Sequence, residues 1–212
     1  MTVASRRALI VIDVQNEYFT GNLQIEYPPV SQSLANIGQV MDAATAAKIP
    51  VIVIQQNSPA NAQAFAEGSD GWLVHEAVDK RHRDAFFQKR LPSSFVETGL
   101  AGWLEAHDID TLTVMGYMTH NCNDTTLKHA FDRGLAVEFI HDASGSVPYA
   151  NHAGYASAEE IHRVFCVVEQ SRFAAVLSTT EWLHCVASGE QPVRENILDS
   201  YCQALARRSA AA

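Results

Sequence analysis

The apolar positions of this chain fall into two patterns that take turns along its length. "RALIVIDVQ" (Arg7–Gln15), "PVIVIQQ" (Pro50–Gln56), "DTLTVMGYM" (Asp110–Met118) and "AVEFIHDA" (Ala136–Ala143) are β-branched runs with little alternation, as expected of strands covered on both faces. "AFFQK" (Ala85–Lys89) and "AAVLS" (Ala174–Ser178) read as shorter strands. Helices are expected between them: Pro29–Lys48, with Val30, Leu34, Ile37 and Met41 at helical spacing, Gly99–His107, a stretch from Asn121 to about Arg133, Ser157–Arg172, with Ile161, Val164, Phe165 and Val168 inward, and Thr180–Val186. This alternation predicts an α/β fold, a parallel sheet flanked by helices on both faces, as a single domain over residues 1–212. Residues 57–84 carry Gly68, Gly71 and little periodicity, and are expected to form a long loop of the kind that covers a site. There are no repeats and no domain linker, and only the tail "ARRSAAA" is of low complexity.

Charge and cysteine content narrow the class of partner. With 15 Lys and Arg scattered among 24 Asp and Glu, the net charge is −9. No nucleic-acid or anionic-membrane partner is therefore expected, and a small solute is. The strongly apolar run near the start is broken by Asp13 and is too short to span a bilayer, so the reading is of no membrane helix and no signal peptide. Cys122, Cys166, Cys185 and Cys202 lack any CxxC spacing, which fits free thiols in a reducing cytoplasm better than a disulfide framework or a zinc site.

Ligands of open α/β sheets bind beyond the carboxyl ends of the strands, and three reactive residues fall at such ends. Asp13 closes the first run, Lys89 closes "AFFQK", and Cys122 lies in "GYMTHNCNDTT" (Gly116–Thr126) after the third long run. Each has an ordinary role open to it: a turn cap, a solvated end charge, a small packed hydrophobe. Together they are the parts of a cysteine nucleophile. A thiol attacks as its thiolate, and the mouth of a helix is expected to stabilise that anion. Asp13 would accept the proton and return it to a leaving amine, while Lys89 balances charge. Amides of the strand-to-helix turn would face a forming oxyanion, a contribution of about 3 to 4 kcal/mol per donor.

Four stretches in order, "ALIVIDVQNEYF", "GSDGWLVH", "KRLPSSFVETGL" and "VMGYMTHNCNDTT", closed by "VEQSRFAAVLSTTEWL", resemble the motifs of the isochorismatase-like, or cysteine hydrolase, family over nearly the whole chain. The resemblance implies a Rossmann-like three-layer α/β/α fold and an Asp13–Lys89–Cys122 triad. It also implies an oxyanion hole from the amides of Met118 and Cys122, a cis peptide between Tyr117 and Met118, and a homodimer or homotetramer. The implied activity is cleavage of a C–N bond in a small amide-type substrate, with no cofactor. True isochorismatases, which cleave a vinyl ether, lack the cysteine. The alternatives are such a vinyl ether hydrolase, or a binding or scaffold protein that kept the fold and lost turnover. Nicotinamidases of the family hold a metal through an Asp-x-His pattern after the second strand, whereas "VIVIQQNSPANAQAF" has neither residue, so no metal is expected. Asn123 stands where the family commonly has valine.

Gln15, Phe19, Trp72, Tyr117 and His120 are the candidate substrate contacts, with Tyr149 a further candidate wall, each weighed against core packing or backbone bonding. Asp124 and Lys128 are expected to form a surface helix pair, and Cys166 and Cys185 to be buried and inert. Phe65, Trp72 and Leu73, with the apolar helix "EWLHCVA", are the expected assembly surface.

Overall fold

A computed structural model of the chain describes residues 5–210. Its strands are β1 (Arg7–Ile12), β2 (Val51–Gln56), β3 (Ala85–Lys89), β4 (Thr111–Tyr117), β5 (Ala136–Gly145), β6 (Tyr149–Asn151), β7 (Gly154–Ala156) and β8 (Ala175–Leu177). Its helices are α1 (Val30–Ala46), α2 (Glu76–Asp79), α3 (Leu100–Ala106), α4 (Asp124–Asp132), α5 (Ala158–Gln170), α6 (Thr179–Ser188) and α7 (Ile197–Ala210). Six strands make one parallel sheet in the order β3-β2-β1-β4-β5-β8, and β6 and β7 form a separate antiparallel hairpin.

β1 shows why its residues carry no alternation. Leu9 and Val11 point into one core with Ile37, Met41 and Trp182 from α1 and α6, while Ala8, Ile10 and Ile12 point into the other with Leu100, Leu104 and Leu127 from α3 and α4. Both faces of the strand are thus dry, which is the three-layer arrangement expected. The chain leaves β1 toward β2 and β3 and then returns to β4 on the other side. The sheet's switch point, and with it the crevice for a ligand, lies between β1 and β4. At the opposite, amino ends of the strands a buried ion pair joins β1 to β5: Arg7 Nη2 lies 2.9 Å from Glu138 Oε1. Glu138 Oε2 also accepts from Thr113 Oγ1 at 2.7 Å and from the indole of fully buried Trp182 at 3.2 Å.

Residues 57–84 form the long excursion expected, with the short helix α2 added and several tethers to the rest of the chain. Glu17, 4% exposed, accepts from the amides of Asn22 and Phe65, Gln15 bridges to Val74, and α2 is capped by the His75 ring. Several expectations are corrected. On α5 the inward face is Ala158, His162 and Glu169, whereas Val164 is 46% and Val168 41% exposed. The polar pair takes the inside because each finds a partner there, His162 at Thr119 and Glu169 at Lys128. Lys128 and Asp124 are accordingly part of a half-buried cluster and not a free surface pair. Of the residues expected on an assembly surface, Phe65 and Trp182 are inside their own subunit, whereas Leu73 is exposed. A further open apolar face is formed by α5 and by α7, a helix the periodicity did not predict, where Val167, Leu198 and Tyr201 are all exposed and no residue of α7 is buried. Cys185 is buried, but Cys166 is only partly so. No helix of the described residues is long and apolar enough to cross a membrane.

Candidate active site

The three reactive residues meet at the carboxyl ends of β1, β3 and β4. Asp13 follows β1 in the left-handed region, at φ 52°, a conformation that aspartate tolerates better than most side chains. Beside it Gly116 ends the regular part of β4 at φ 105°, where a Cβ would lie 2.1 Å from the carbonyl oxygen of Ile12. Only glycine lets the two strand ends approach so closely. After β4 the peptide bond from Tyr117 to Met118 is cis, and Thr119–Asn123 form a single wide turn that brings Cys122 back over the strand ends just before α4. Lys89, the last residue of β3, is 2% exposed, and its ammonium has three acceptors for its three N–H groups: Asp13 Oδ2 at 2.8 Å, Cys122 Sγ at 3.2 Å and Gln56 Oε1 at 2.7 Å. The third of these, Gln56, is a site residue that the sequence reading passed over.

Burial sets the proton inventory. It raises the Asp13 carboxyl above the ordinary aspartate range, with Lys89 drawing it only part of the way back. It pulls the Lys89 ammonium down, and Asp13 and Cys122 together more than reverse this, so its pKa stands above that of a free lysine. Burial and then the Asp13 charge push the Cys122 thiol up to about 12, against the pull of Lys89. The expectation of a thiolate stabilised by the helix mouth is therefore corrected: desolvation outweighs that help and favours the thiol. A carboxylate raised toward neutrality beside a thiol is a base suited to take its proton when an electrophile arrives.

Residues 7–181 match the Isochorismatase domain. The chain belongs to the isochorismatase family. It is 60% identical to a protein of Burkholderia xenovorans LB400 named for the isochorismatases, whose crystal structure superposes with a TM-score of 0.96 over 98% of this chain and 100% of that one. It is 28% identical to the isochorismatase family protein YddQ of Bacillus subtilis (strain 168), over 83% of this chain and 98% of the other. Nicotinamidase 3 of Arabidopsis thaliana is 27% identical over 66% of this chain and 73% of its own length. The relatives of this family member are thus hydrolases, amidases among them.

The remaining candidate contacts of this isochorismatase-family site divide by what their side chains are already doing. Gln15 is fully buried and spent on backbone: Nε2 donates to the carbonyls of Gln56 and Trp72, and Oε1 accepts from the Gln56 amide. Tyr117 is likewise interior, its hydroxyl 2.7 Å from Ser33 Oγ and its pKa raised by burial. Both are scaffold, which corrects their place among the substrate contacts. Phe19 is half-buried against His75, with ring centroids 4.2 Å apart, and Trp72 anchors the cover through its carbonyl, which also accepts from Gln55. His120 stands between Tyr149 and Phe165, with Nδ1 3.0 Å from Ser146 Oγ. Its Nε2 has no partner among the described residues, and burial lowers its pKa to about 4, so the ring is neutral. Tyr18 and Tyr149 lie near the nucleophile too: burial raises both phenols, and a thiolate at Cys122 would raise them further. Tyr18 sits next to the candidate Phe19, and Gln56 ends the second strand-like run, but nothing in their own spacing marks them. Among the described residues no three His, Cys, Asp or Glu side chains are grouped to hold a metal.

Proposed function

We propose that this chain is a cysteine hydrolase that cleaves a C–N bond of a small amide through a thioester on Cys122, without a metal. The observation that supports it is the Lys89 ammonium, which ties the base Asp13 and the nucleophile Cys122 into one buried cluster. As the substrate carbonyl enters, Asp13 takes the thiol proton and Sγ attacks the carbonyl carbon, while Lys89 steadies the thiolate. The oxyanion faces the Met118 and Cys122 amides. The C–N bond breaks as Asp13 passes its proton to the departing amine. Water, deprotonated by Asp13, then cleaves the thioester and restores the thiol. His120, Phe19, Trp72 and Tyr149 are the residues we assign to the substrate, and the neutral His120 ring suits an uncharged polar group. Where nicotinamidases carry Asp-x-His this chain carries the amides Gln55, Gln56 and Asn57, poor ligands for zinc, iron or manganese.

Incubation with carboxamides, ureas and lactams, followed by intact-mass spectrometry and an assay for released amine, tests the proposal. An acyl adduct that maps to Cys122, with release unaffected by a chelator, is the expected result. Saturable binding with neither adduct nor product would leave the scaffold alternative standing. For the assembly we place a second copy on the α5 and α7 face, because a 14-residue helix with no buried residue gains little from its own subunit. Light scattering should then give at least twice the 23.2 kDa chain mass.

A further inference from the structure

Asn123 stands in the nucleophile turn where the family commonly has valine, and its surroundings give the departure a use. It is fully buried, directly after Cys122. Its backbone N–H donates to the Met118 carbonyl at 3.2 Å, and its side-chain Nδ2 donates to the Gly116 carbonyl at 2.7 Å and lies 3.3 Å from Ser144 Oγ. One residue therefore grips the carbonyls on both sides of Tyr117. The amide between these two grips is that of Met118. This is also where the sheet's own ladder fails: Val114 pairs with Phe139, yet Gly116 already pairs with Ser144, so the register of β4 on β5 shifts just before the turn. Ser144 Oγ spans the bulge by donating to the Ile140 carbonyl at 3.0 Å.

The side chain is a poor choice for stability alone. Its Oδ1 is buried with no partner among the described residues, a cost that an aliphatic side chain of the same size would not carry. From this geometry we infer that Asn123 is a positioning residue which orients the Met118 amide toward the oxyanion formed during acyl transfer to Cys122, an inference that rests on the thioester reading above. It touches no reacting atom. Its effect is confined to reactions that generate an oxyanion.

Two reagents for the same sulfur separate this role from a general structural one. Acetylation by 4-nitrophenyl acetate forms the Sγ–acyl bond, breaks the ester C–O bond and releases 4-nitrophenol through an oxyanion. Alkylation by iodoacetamide displaces iodide at a saturated carbon and needs no oxyanion hole. In Asn123→Leu, close to asparagine in shape but without a donor, the acetylation rate at pH 8.5 should fall about tenfold or more while the alkylation rate stays within about twofold. If Asn123→Leu does not show a cooperative thermal transition, the smaller Asn123→Val is read in the same way. Unchanged acetylation, or both rates falling together, would overturn the inference while leaving the thioester reading intact. A Cys122→Ala protein that still acetylates like the parent sinks both.

Discussion

The sheet carries a buried ion pair at each end, and the two are finished differently. At the amino ends, Glu138 receives Arg7, Thr113 and Trp182, so both carboxylate oxygens are committed to donors on three different elements. At the carboxyl ends, Asp13 faces the Lys89 ammonium at 2.8 Å and shares that ammonium with a thiol and an amide. Glu138 lies within an ordinary strand, whereas Asp13 sits at φ 52°. A carboxylate whose acceptor sites are filled is a joint between strands. One that keeps capacity for a proton beside a buried thiol is a base. The ingredients are nearly the same, and what separates structure from reactivity is how much of the acceptor is left unused.

The largest effects should come from the reactive end. Cys122→Ala and Asp13→Asn are each expected to lower acyl transfer by on the order of 10³-fold, with thermal melting showing a folded chain. A stopped-time assay of amine or 4-nitrophenol release checks this, and retained turnover in Asp13→Asn would move the base to another residue. At the structural end the effect should be on stability instead. Glu138→Ala strands Arg7 among buried residues and should cost about 3 to 5 kcal/mol in urea unfolding, while Cys122 of the folded fraction alkylates at the parental rate. Little loss of stability there would erase the distinction drawn between the pairs.

A pH series sharpens the comparison. Because the folded thiol is pushed up to about 12, the protonated form dominates throughout the neutral range, and alkylation of Cys122 by iodoacetamide should climb about tenfold per pH unit from 7 to 10 without a plateau. A plateau near neutrality would mean that Lys89 outweighs burial after all. The smallest change is expected from Gln56→Leu, which removes one of three acceptors from Lys89 at a partly exposed position that water can reach. Acetylation should fall less than about tenfold and stability by about 1 kcal/mol. A loss as deep as that of Asp13→Asn would promote Gln56 from support to a member of the triad.

The buried strands and the positions of Asp13, Lys89 and Cys122 were legible because they depend on local composition: apolar strand-like runs, with Asp13 and Lys89 closing two of them and Cys122 a few residues past a third. What was not legible depends on partners distant in the chain. His162 and Glu169 turn inward on α5 because Thr119 and Lys128, 43 and 41 residues earlier, meet them, and the apolar stripe beside them is left outside. Gln15 and Tyr117 looked available for substrate until Gln56, Trp72 and Ser33 were seen to occupy them. The resting state of the thiol is likewise a property of the closed site, since its largest cause is loss of water and not any neighbour in sequence. α7 was missed because no buried apolar stripe marks it: none of its residues is buried.

The seat of Trp182 gives the molecule an internal optical gauge. Of three tryptophans, it alone is wholly enclosed, with its indole N–H held by Glu138 and Thr113, whereas Trp72 and Trp103 are partly open. Its emission should be blue-shifted and resistant to acrylamide, so the fraction of fluorescence that a quencher cannot reach reports on the amino-end joint alone. Ligand entry at the far rim, near Trp72, should alter only the quenchable fraction. One spectrum thereby separates occupancy of the crevice from opening of the sheet, with no label added.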